Sequence, residues 1–252
     1  MKKDLFNQVA LVTGGNGGIG TAICKLLASH GAKVVIHCHS RLELANELAA
    51  SLPTESLVVQ QDLSQPYASQ VLIKKCIDHF GSLDILVNNA GWTKAIPASQ
   101  LNALDDELIA KTMHLKINVP IRLVDEARTY LEKSDNANVV NITSVAGIAA
   151  KGSSIVYAAA NAALSNLTRS LARVLAPTIR VNAVAPGFVN TGFVWPTDSN
   201  AAEHVSKQNY IGRTVEPEDV AKAVLFLVAD ARATTGEEMA IDGGIARLGN
   251  RQ

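Results

Sequence analysis

The chain is poor in several kinds of residue, and each scarcity excludes a class of protein. Only 4% of its 252 residues are aromatic while 48% are hydrophobic, so the core must consist mainly of Ala, Val, Ile and Leu. This composition favours a parallel sheet covered by helices. Neither sign of charge is in excess, because 23 basic and 23 acidic side chains cancel. There is thus no electrostatic reason to expect nucleic acid or an anionic membrane as partner.

Cysteine and long apolar runs are also scarce. Cys24, Cys38 and Cys76 are odd in number and lack a CxxC pairing, and the apolar run near the N-terminus is too short for a signal peptide. No stretch approaches the roughly 18 apolar residues of a membrane span. We therefore predict a cytoplasmic protein with reduced cysteines, no metal site and no membrane partner.

Apolar runs of strand length alternate with segments of helical period along the chain. The predicted strands are QVALVT, KVVIH, SLVVQ, LDILVN, NVVNIT, IRVNAV and EEMAID, and the predicted helices lie near 18–29, 41–50, 66–80, 105–133, 153–175 and 217–229. This alternation predicts an α/β fold with a doubly wound, Rossmann-type, mostly parallel seven-stranded sheet and helices on both faces. We expect one domain over 1–252, with the irregular stretch at about 186–212 as a substrate lid.

A glycine-rich stretch, VTGGNGGIGTAI, joins the first predicted strand to the first predicted helix. It satisfies G-x-G-x-x-G and also the wider pattern Thr-Gly-x-x-x-Gly-x-Gly, through Thr13, Gly14, Gly15, Gly17, Gly18 and Gly20. Glycines at such a junction let a pyrophosphate approach the backbone at a helix N-terminus, which favours negative charge. A glycine-rich turn without a ligand is the alternative.

Several motifs occur in an order and spacing that resemble the short-chain dehydrogenase/reductase family. They are TGGNGGIG, NNAG at 88–91, NITSVAG, YAAAN, NAVAPGFVNT and IDGG, and Ser144 precedes Tyr157 by 13 residues. The chain is most similar in character to 3-oxoacyl-carrier-protein reductases. The resemblance implies an NAD(P)-dependent oxidoreductase that interconverts a carbonyl and a secondary alcohol by hydride transfer.

The resemblance also implies the catalytic residues. Tyr157 would be the acid/base, Ser144 would donate a hydrogen bond to the reacting oxygen, and Asn118 in KINVP would support a proton relay. Asn161 stands where the family carries a lysine, whose charge lowers the tyrosine pKa. Asparagine is neutral, so we predict a Tyr157 pKa near the ordinary value of about 10 and weakened proton transfer. Whether Asn161 is natural or introduced stays open.

Two other lysines could in principle replace the missing charge. Lys151 lies six residues before Tyr157, and Lys116 lies two residues before Asn118. Neither has the i, i+4 relation that would place it beside the tyrosine on its own helix. We therefore expect both to be solvated.

Cofactor choice is predicted at the end of the second strand, where NAD sites present a carboxylate and NADP sites present basic or small polar groups. His39, Ser40 and Arg41 occupy this place, which favours NADP(H) over NAD(H). One feature opposes the preference for NADP(H): Asn16 and Gly17 stand where many NADP-type relatives carry a basic residue. The other cofactor contacts implied by the resemblance are Gly14, Asn16, Gly18, Ile19, Gly20, Asp62, Leu63, Asn89, Ala90, Gly91, Tyr157, Pro186, Gly187, Val189 and Thr191.

The substrate and partners are less well defined. We expect a small carbonyl or alcohol substrate, with Trp92 and Trp195 as possible aromatic walls. Arg173 resembles a residue used near a carrier protein, but the expected basic companion region reads EKSDNAN, which puts such docking in doubt. The helices around 105–133 and 157–176 resemble those that pair subunits, which implies a homotetramer, or otherwise a dimer. An alternative function is a catalytically impaired nucleotide-binding or assembly module.

Overall fold

The protein is built on one sheet of seven parallel strands in the computed structural model, which describes residues 4–193, 199–249 and 251. The strands are β1 (Val9–Val12), β2 (Lys33–Cys38), β3 (Ser56–Gln60), β4 (Ile85–Asn88), β5 (Asn138–Ile142), β6 (Arg180–Pro186) and β7 (Glu238–Ile241). Their order is β3-β2-β1-β4-β5-β6-β7, and every neighbouring pair is parallel. The predicted fold class is confirmed.

Helices cover both faces of this sheet. They are α1 (Gly18–Ser29), α2 (Leu42–Ser51), α3 (Ala68–Phe80), α4 (Asp106–Met113), α5 (Val119–Leu131), α6 (Val145–Ala149), α7 (Ile155–Leu175), α8 (Ser199–Gln208), α9 (Pro217–Ala229) and α10 (Ile245–Leu248). Helices α1, α2 and α9 pack into one apolar cluster, and α3, α5 and the end of α7 pack into a second on the opposite face. Because both faces are covered, most strand residues are apolar and buried.

The strand order reverses between β1 and β4. In open parallel sheets, ligands bind in the crevice beyond the carboxyl ends of the strands at such a switch point. The glycine-rich turn follows β1 and the NNAG segment begins at the end of β4. The topology therefore brings these two motifs to the edge where a ligand is expected.

The helix predicted over 105–133 is interrupted. A five-residue π-helical turn, His114–Asn118, separates α4 from α5. Pro120 lies near the start of α5, and it offers no N–H to the carbonyl of Lys116, four residues earlier. A π-helical turn changes which side chains share a face, and such turns are frequent at functional sites.

The segment 186–212 is less irregular than predicted, since it contains α8. Helices α6 and α10 were not predicted either, because five and four residues are too few to show a helical period. Within the described part of the chain, no helix has both the length and the apolar character that crossing a bilayer requires.

Candidate active site

The glycine-rich turn leaves the N-terminus of α1 open to an anion. Gly17 is the N-cap, no side chain caps the helix, and its first turn holds no acidic residue. The first N–H groups of a helix lack intrahelical partners and attract negative charge. At Gly20 a Cβ would lie 2.2 Å from the carbonyl oxygen of Gly14, so the tight turn requires glycine there. These features fit a pyrophosphate. Its contact with Gly14, Gly18, Ile19 and Gly20 stays a prediction.

A buried histidine supports this turn and was missed from the sequence. The N–H of Gly14 donates to Nδ1 of His37 at 3.0 Å, and Nε2 of His37 lies 2.9 Å from the carbonyl oxygen of Gln61. His37 therefore acts as acceptor at one nitrogen and donor at the other. Burial lowers its pKa to about 4, which keeps the ring neutral. The sequence feature that could have indicated this role is a histidine inside an otherwise apolar strand.

Basic groups lie at the end of β2, as the cofactor prediction required. His39, Ser40 and Arg41 are all exposed, and Arg41 has a left-handed backbone at the N-cap of α2. Asn16, predicted to contact the cofactor, donates its amide to the carbonyl oxygens of Ser40 and Arg41 at 2.8 and 3.1 Å. Its observed contacts join the glycine turn to the segment that carries the basic groups.

Asp62 and Leu63 follow β3 at the same edge. Oδ1 of Asp62 accepts hydrogen bonds from the backbone and hydroxyl of Ser64 at 2.9 and 2.7 Å. These bonds lower the pKa of Asp62 to about 2, so the carboxylate is charged at neutral pH. Leu63 is buried.

The segment after β4 is tied to the glycine turn. The amide of Asn89 donates to the carbonyl oxygens of Thr13 and Gly14 at 2.9 and 3.0 Å. The hydroxyl of Thr13 accepts from the backbone N–H groups of Asn89 and Ala90, each at 3.0 Å. Two of the predicted cofactor residues thus hold the walls of the crevice together.

The turn after β6 closes against α1. A Cβ on Gly18 would come within 2.5 Å of Cγ2 of Thr191, so this turn lies directly beside the N-terminus of α1. Val189 forms a parallel bridge with Val215, and the N–H of Gly187 donates to the carbonyl oxygen of Ile241 at 2.9 Å. The structure brings Pro186, Gly187, Val189 and Thr191 to the crevice beside the glycine turn.

Ser144 and Tyr157 meet beyond the end of β5. Ser144 is the N-cap of α6 and accepts a hydrogen bond from the N–H of Ala146 at 3.2 Å. Tyr157 lies in the first turn of α7. Burial raises the pKa of Tyr157 above its ordinary value of 10, while hydrogen bonding with the side chains of Ser144 and Asn161 acts in the opposite direction. The prediction of an unshifted pKa was therefore wrong, because it left burial out.

Asn161 lies one helical turn after Tyr157 and is fully buried. Its Nδ2 donates to the backbone carbonyl oxygen of Tyr157 at 2.8 Å, and its Oδ1 is buried without a hydrogen-bond partner. Helix α6 packs tightly here, since a Cβ on Gly147 would lie 2.8 Å from the carbonyl carbon of Asn161. The asparagine is thus bound to its own helix and brings no positive charge to the tyrosine.

Lys116 is buried in the site, against our expectation that it is solvated. It is 4% exposed, its Nζ donates to the carbonyl oxygen of Ile142 at 3.0 Å, and its Nζ lies 5.9 Å from the centre of the Tyr157 ring. Asn118, the predicted relay residue, is exposed. The π-helical turn explains why Lys116 is buried and Asn118 is exposed. The turn changes which side chains share a face, so a prediction from uniform α-helical spacing selects the wrong residue to face inward. Lys151 is exposed, as expected.

Aromatic side chains border the site. The ring of Phe193 lies 6.4 Å from that of Tyr157, and this residue was not predicted. Trp92 packs against a small apolar cluster and has Nζ of Lys111 over its ring at 4.3 Å. Trp195 lies outside the described residues.

Comparison with known proteins gives a consistent result over nearly the whole chain. A family model described as enoyl-(acyl carrier protein) reductase matches residues 14–246. A relative from Streptomyces violaceoruber, named as ketoacyl reductase 2 of the granaticin polyketide synthase, is 41% identical over 238 residues, which are 94% of this chain and 95% of the relative.

Two further relatives carry different substrate names. The cis-4-hydroxycyclohexanecarboxylate dehydrogenase of Sinomonas cyclohexanicum is 35% identical over 97% of this chain and 98% of its own. The 3-oxoacyl-[acyl-carrier-protein] reductase of Thermotoga maritima is 33% identical over 96% and 98%. Among solved structures, a short-chain dehydrogenase/reductase from Serratia marcescens superposes with a TM-score of 0.87 at 31% identity, covering 96% of this chain and 99% of that one.

Proposed function

The chain belongs to the short-chain dehydrogenase/reductase family and is an oxidoreductase, and on this premise we propose that it interconverts a carbonyl and a secondary alcohol with NADP(H). The observation that carries the proposal is the placement of Tyr157 beside Ser144, at the sheet edge that also holds the open N-terminus of α1. When bound, the nicotinamide supplies or accepts the hydride.

The two side chains have complementary roles. In reduction, the phenol of Tyr157 donates a proton to the carbonyl oxygen. The hydroxyl of Ser144 donates a hydrogen bond to the same oxygen and stabilises the negative charge that develops on it. Burial raises the pKa of Tyr157, so the phenol is protonated at neutral pH and able to act as the acid.

Cofactor selection is proposed from the end of β2. Exposed His39, Ser40 and Arg41 offer a cation and hydrogen-bond donors to a ribose 2′-phosphate, and the guanidinium suits a phosphate group. The first acidic residue after the strand, Glu43, lies within α2. This arrangement favours NADP(H) over NAD(H).

The substrate class follows from the relatives and from the walls of the site. Two of the relatives are named for ketoacyl or 3-oxoacyl reduction, and the ring of Phe193 beside Tyr157 offers an apolar wall. We therefore propose 3-oxoacyl thioesters and related ketones as substrates. Arg173 is exposed on α7, but the companion region that is expected to be basic reads EKSDNAN. Docking of a carrier protein through Arg173 therefore has less support than the substrate class.

The test is NADPH oxidation with a panel of ketones and 3-oxoacyl thioesters, followed across pH. The Tyr157→Phe variant removes the proton donor and keeps the ring, so turnover should fall by about 10²- to 10⁴-fold while NADPH binding persists. Ser144→Ala should lose about 10²- to 10³-fold. If the protein binds NADPH but none of the substrates in the panel leads to NADPH oxidation, the alternative function, a nucleotide-dependent binding or assembly module, is favoured.

Assembly and location are further proposals. Exposed apolar side chains on α5 and α7, namely Ile121, Ile155 and Val174, are consistent with pairing of these helices in a homotetramer or dimer. All three cysteines are free and buried, which suits a cytoplasmic protein. The stretch 186–212 stays our proposed substrate lid, and 1–252 our proposed single domain.

A further inference from the structure

The site contains a buried cation that the family pattern does not place there. Lys116 comes from the π-helical turn between α4 and α5, whereas the family lysine would come from α7, at the position of Asn161. Its Nζ lies 5.9 Å from the centre of the Tyr157 ring, within the range in which a cation interacts with a phenol ring or phenolate. The positive charge therefore reaches the tyrosine from a different element.

Three contacts hold the ammonium in this place. The carbonyl oxygen of Ile142, at the end of β5, accepts a hydrogen bond from Nζ at 3.0 Å. Gly91 lies against the same side chain, because a Cβ there would be 3.2 Å from Cε and 3.4 Å from Nζ of Lys116. The Tyr157 ring forms the third contact. Glycine at position 91 thus leaves the space that the lysine occupies.

The ammonium has capacity left for the reaction. An ammonium carries three N–H donors, and among the described residues one acceptor, the carbonyl oxygen of Ile142, is within hydrogen-bonding distance. Burial lowers the pKa of Lys116 to about 8, so the group is mainly charged at neutral pH and loses a proton just above it. Tyr157 is the titratable group that faces it, while Ile142 and Gly91 contribute backbone.

We propose that Lys116 is the positioning residue that stabilises the phenolate of Tyr157, in place of the lysine missing at position 161. This inference rests on the proposed carbonyl reduction and specifies how its proton donor is tuned. Asn161 bonds to its own helix, and Lys116 supplies the charge from the π-helical turn.

The first experiment follows the ionisation of the tyrosine and needs no turnover. Tyrosinate absorbance is titrated in the parent protein and in Lys116→Met, each after subtraction of the same protein carrying Tyr157→Phe. If the assignment holds, the two groups are coupled in the parent protein and lose protons in steps that belong to the pair. With Lys116 charged, part of the proton lost near pH 8 should come from the phenol, so tyrosinate should appear about 1–3 pH units lower in the parent protein than in Lys116→Met. An unchanged titration in Lys116→Met overturns the proposal.

The second experiment separates an electrostatic role from a structural one. The rising limb of the pH profile for alcohol oxidation should move upward by about 1–3 units in Lys116→Met, which lowers the rate on that limb by about 10- to 1000-fold. Adding Asn161→Lys to this variant should restore most of the loss. Failure of the second lysine to restore the profile, in a folded protein, counts against the charge as the cause.

The single variant Asn161→Lys keeps the proposal testable if Lys116→Met does not fold. Where Lys116 already supplies the cation, a second lysine should lower the pH of tyrosinate formation by less than about 1 unit, since two neighbouring ammonium groups repel and one of them loses its proton. A gain of several orders of magnitude in the turnover of Asn161→Lys alone would mean that Lys116 supplies no useful charge.

The outcomes also distinguish this inference from the proposed function. A shifted tyrosinate titration, with no turnover in any variant, supports the assignment of Lys116 and counts against carbonyl reduction. Turnover in the parent protein, with an unshifted titration in Lys116→Met, overturns the assignment of Lys116 and leaves the reductase function standing.

Discussion

Replacing Lys116 with methionine should stabilise the fold at neutral pH, even though the proposed role predicts a loss of function. Burial lowers the lysine pKa from 10.5 to about 8, and at about 1.4 kcal/mol per unit the buried charge costs roughly 3 kcal/mol. The variant loses the hydrogen bond to the Ile142 carbonyl, which costs about 1–2 kcal/mol. We therefore expect Lys116→Met to be about 1–2 kcal/mol more stable at pH 7.

The dependence on pH identifies the lysine as the cause. Below about pH 8 the lysine is protonated in both folded and unfolded chains, so the cost is fully present. Between about 8 and 10.5 the folded protein releases the proton while the unfolded chain keeps it, so the parent protein gains stability as pH rises. The advantage of the variant should shrink from pH 8, by about 1.4 kcal/mol per pH unit, and vanish near pH 9. The raised pKa of Tyr157 affects stability only above about pH 10.

Urea denaturation at several pH values between 7 and 9.5 measures this difference. Lys151→Met is the matched control, because Lys151 is exposed; its free energy of unfolding should stay within about 0.5 kcal/mol of the parent at every pH. A difference between Lys116→Met and the parent that is independent of pH would refute the reasoning. So would a loss of several kcal/mol at pH 7.

Three further substitutions test other parts of the site. Gly147→Ala would place a Cβ 2.6 Å from the backbone nitrogen of Ala162, and the resulting shift of α6 from α7 should cost about 1–3 kcal/mol in thermal or urea unfolding; parent-like stability would contradict this packing. Gly20→Ala, whose Cβ would lie 2.2 Å from the Gly14 carbonyl oxygen, should abolish nucleotide binding in a fluorescence titration without unfolding the protein. Arg41→Ala should weaken NADPH binding by about 10- to 100-fold, from the loss of a charge-assisted hydrogen bond, and leave NADH binding unchanged; equal losses for both nucleotides would remove Arg41 from cofactor selection.

The sequence by itself determined the fold and the position of most motifs. Apolar runs alternating with helical segments are sufficient to predict a parallel sheet, because each strand is buried on both faces and each crossover must cover it. Once β1 and β4 lie side by side, the carboxyl ends of these strands bring the glycine turn and the NNAG segment together. The order of motifs therefore predicted which segments meet.

The tertiary structure alone decided which side chains enter the site. Spacing along one helix led us to expect both Lys116 and Lys151 in solvent. This was wrong for Lys116, because the π-helical turn before Pro120 changes the inward-facing residue. A local pattern assumes a uniform helix, whereas the orientation of this turn depends on a proline, on packing against α7 and on the hydrogen bond to the end of β5.

Electrostatics were also decided by the tertiary structure. The neutral Asn161 suggested an ordinary pKa for Tyr157, but burial raises it. Similarly, the position of His37 inside an apolar strand indicates burial, but only the structure showed that it lies beneath the glycine turn and is kept neutral. Sequence specifies which groups can ionise, and only the packed structure sets how much water reaches them and which charges lie nearby.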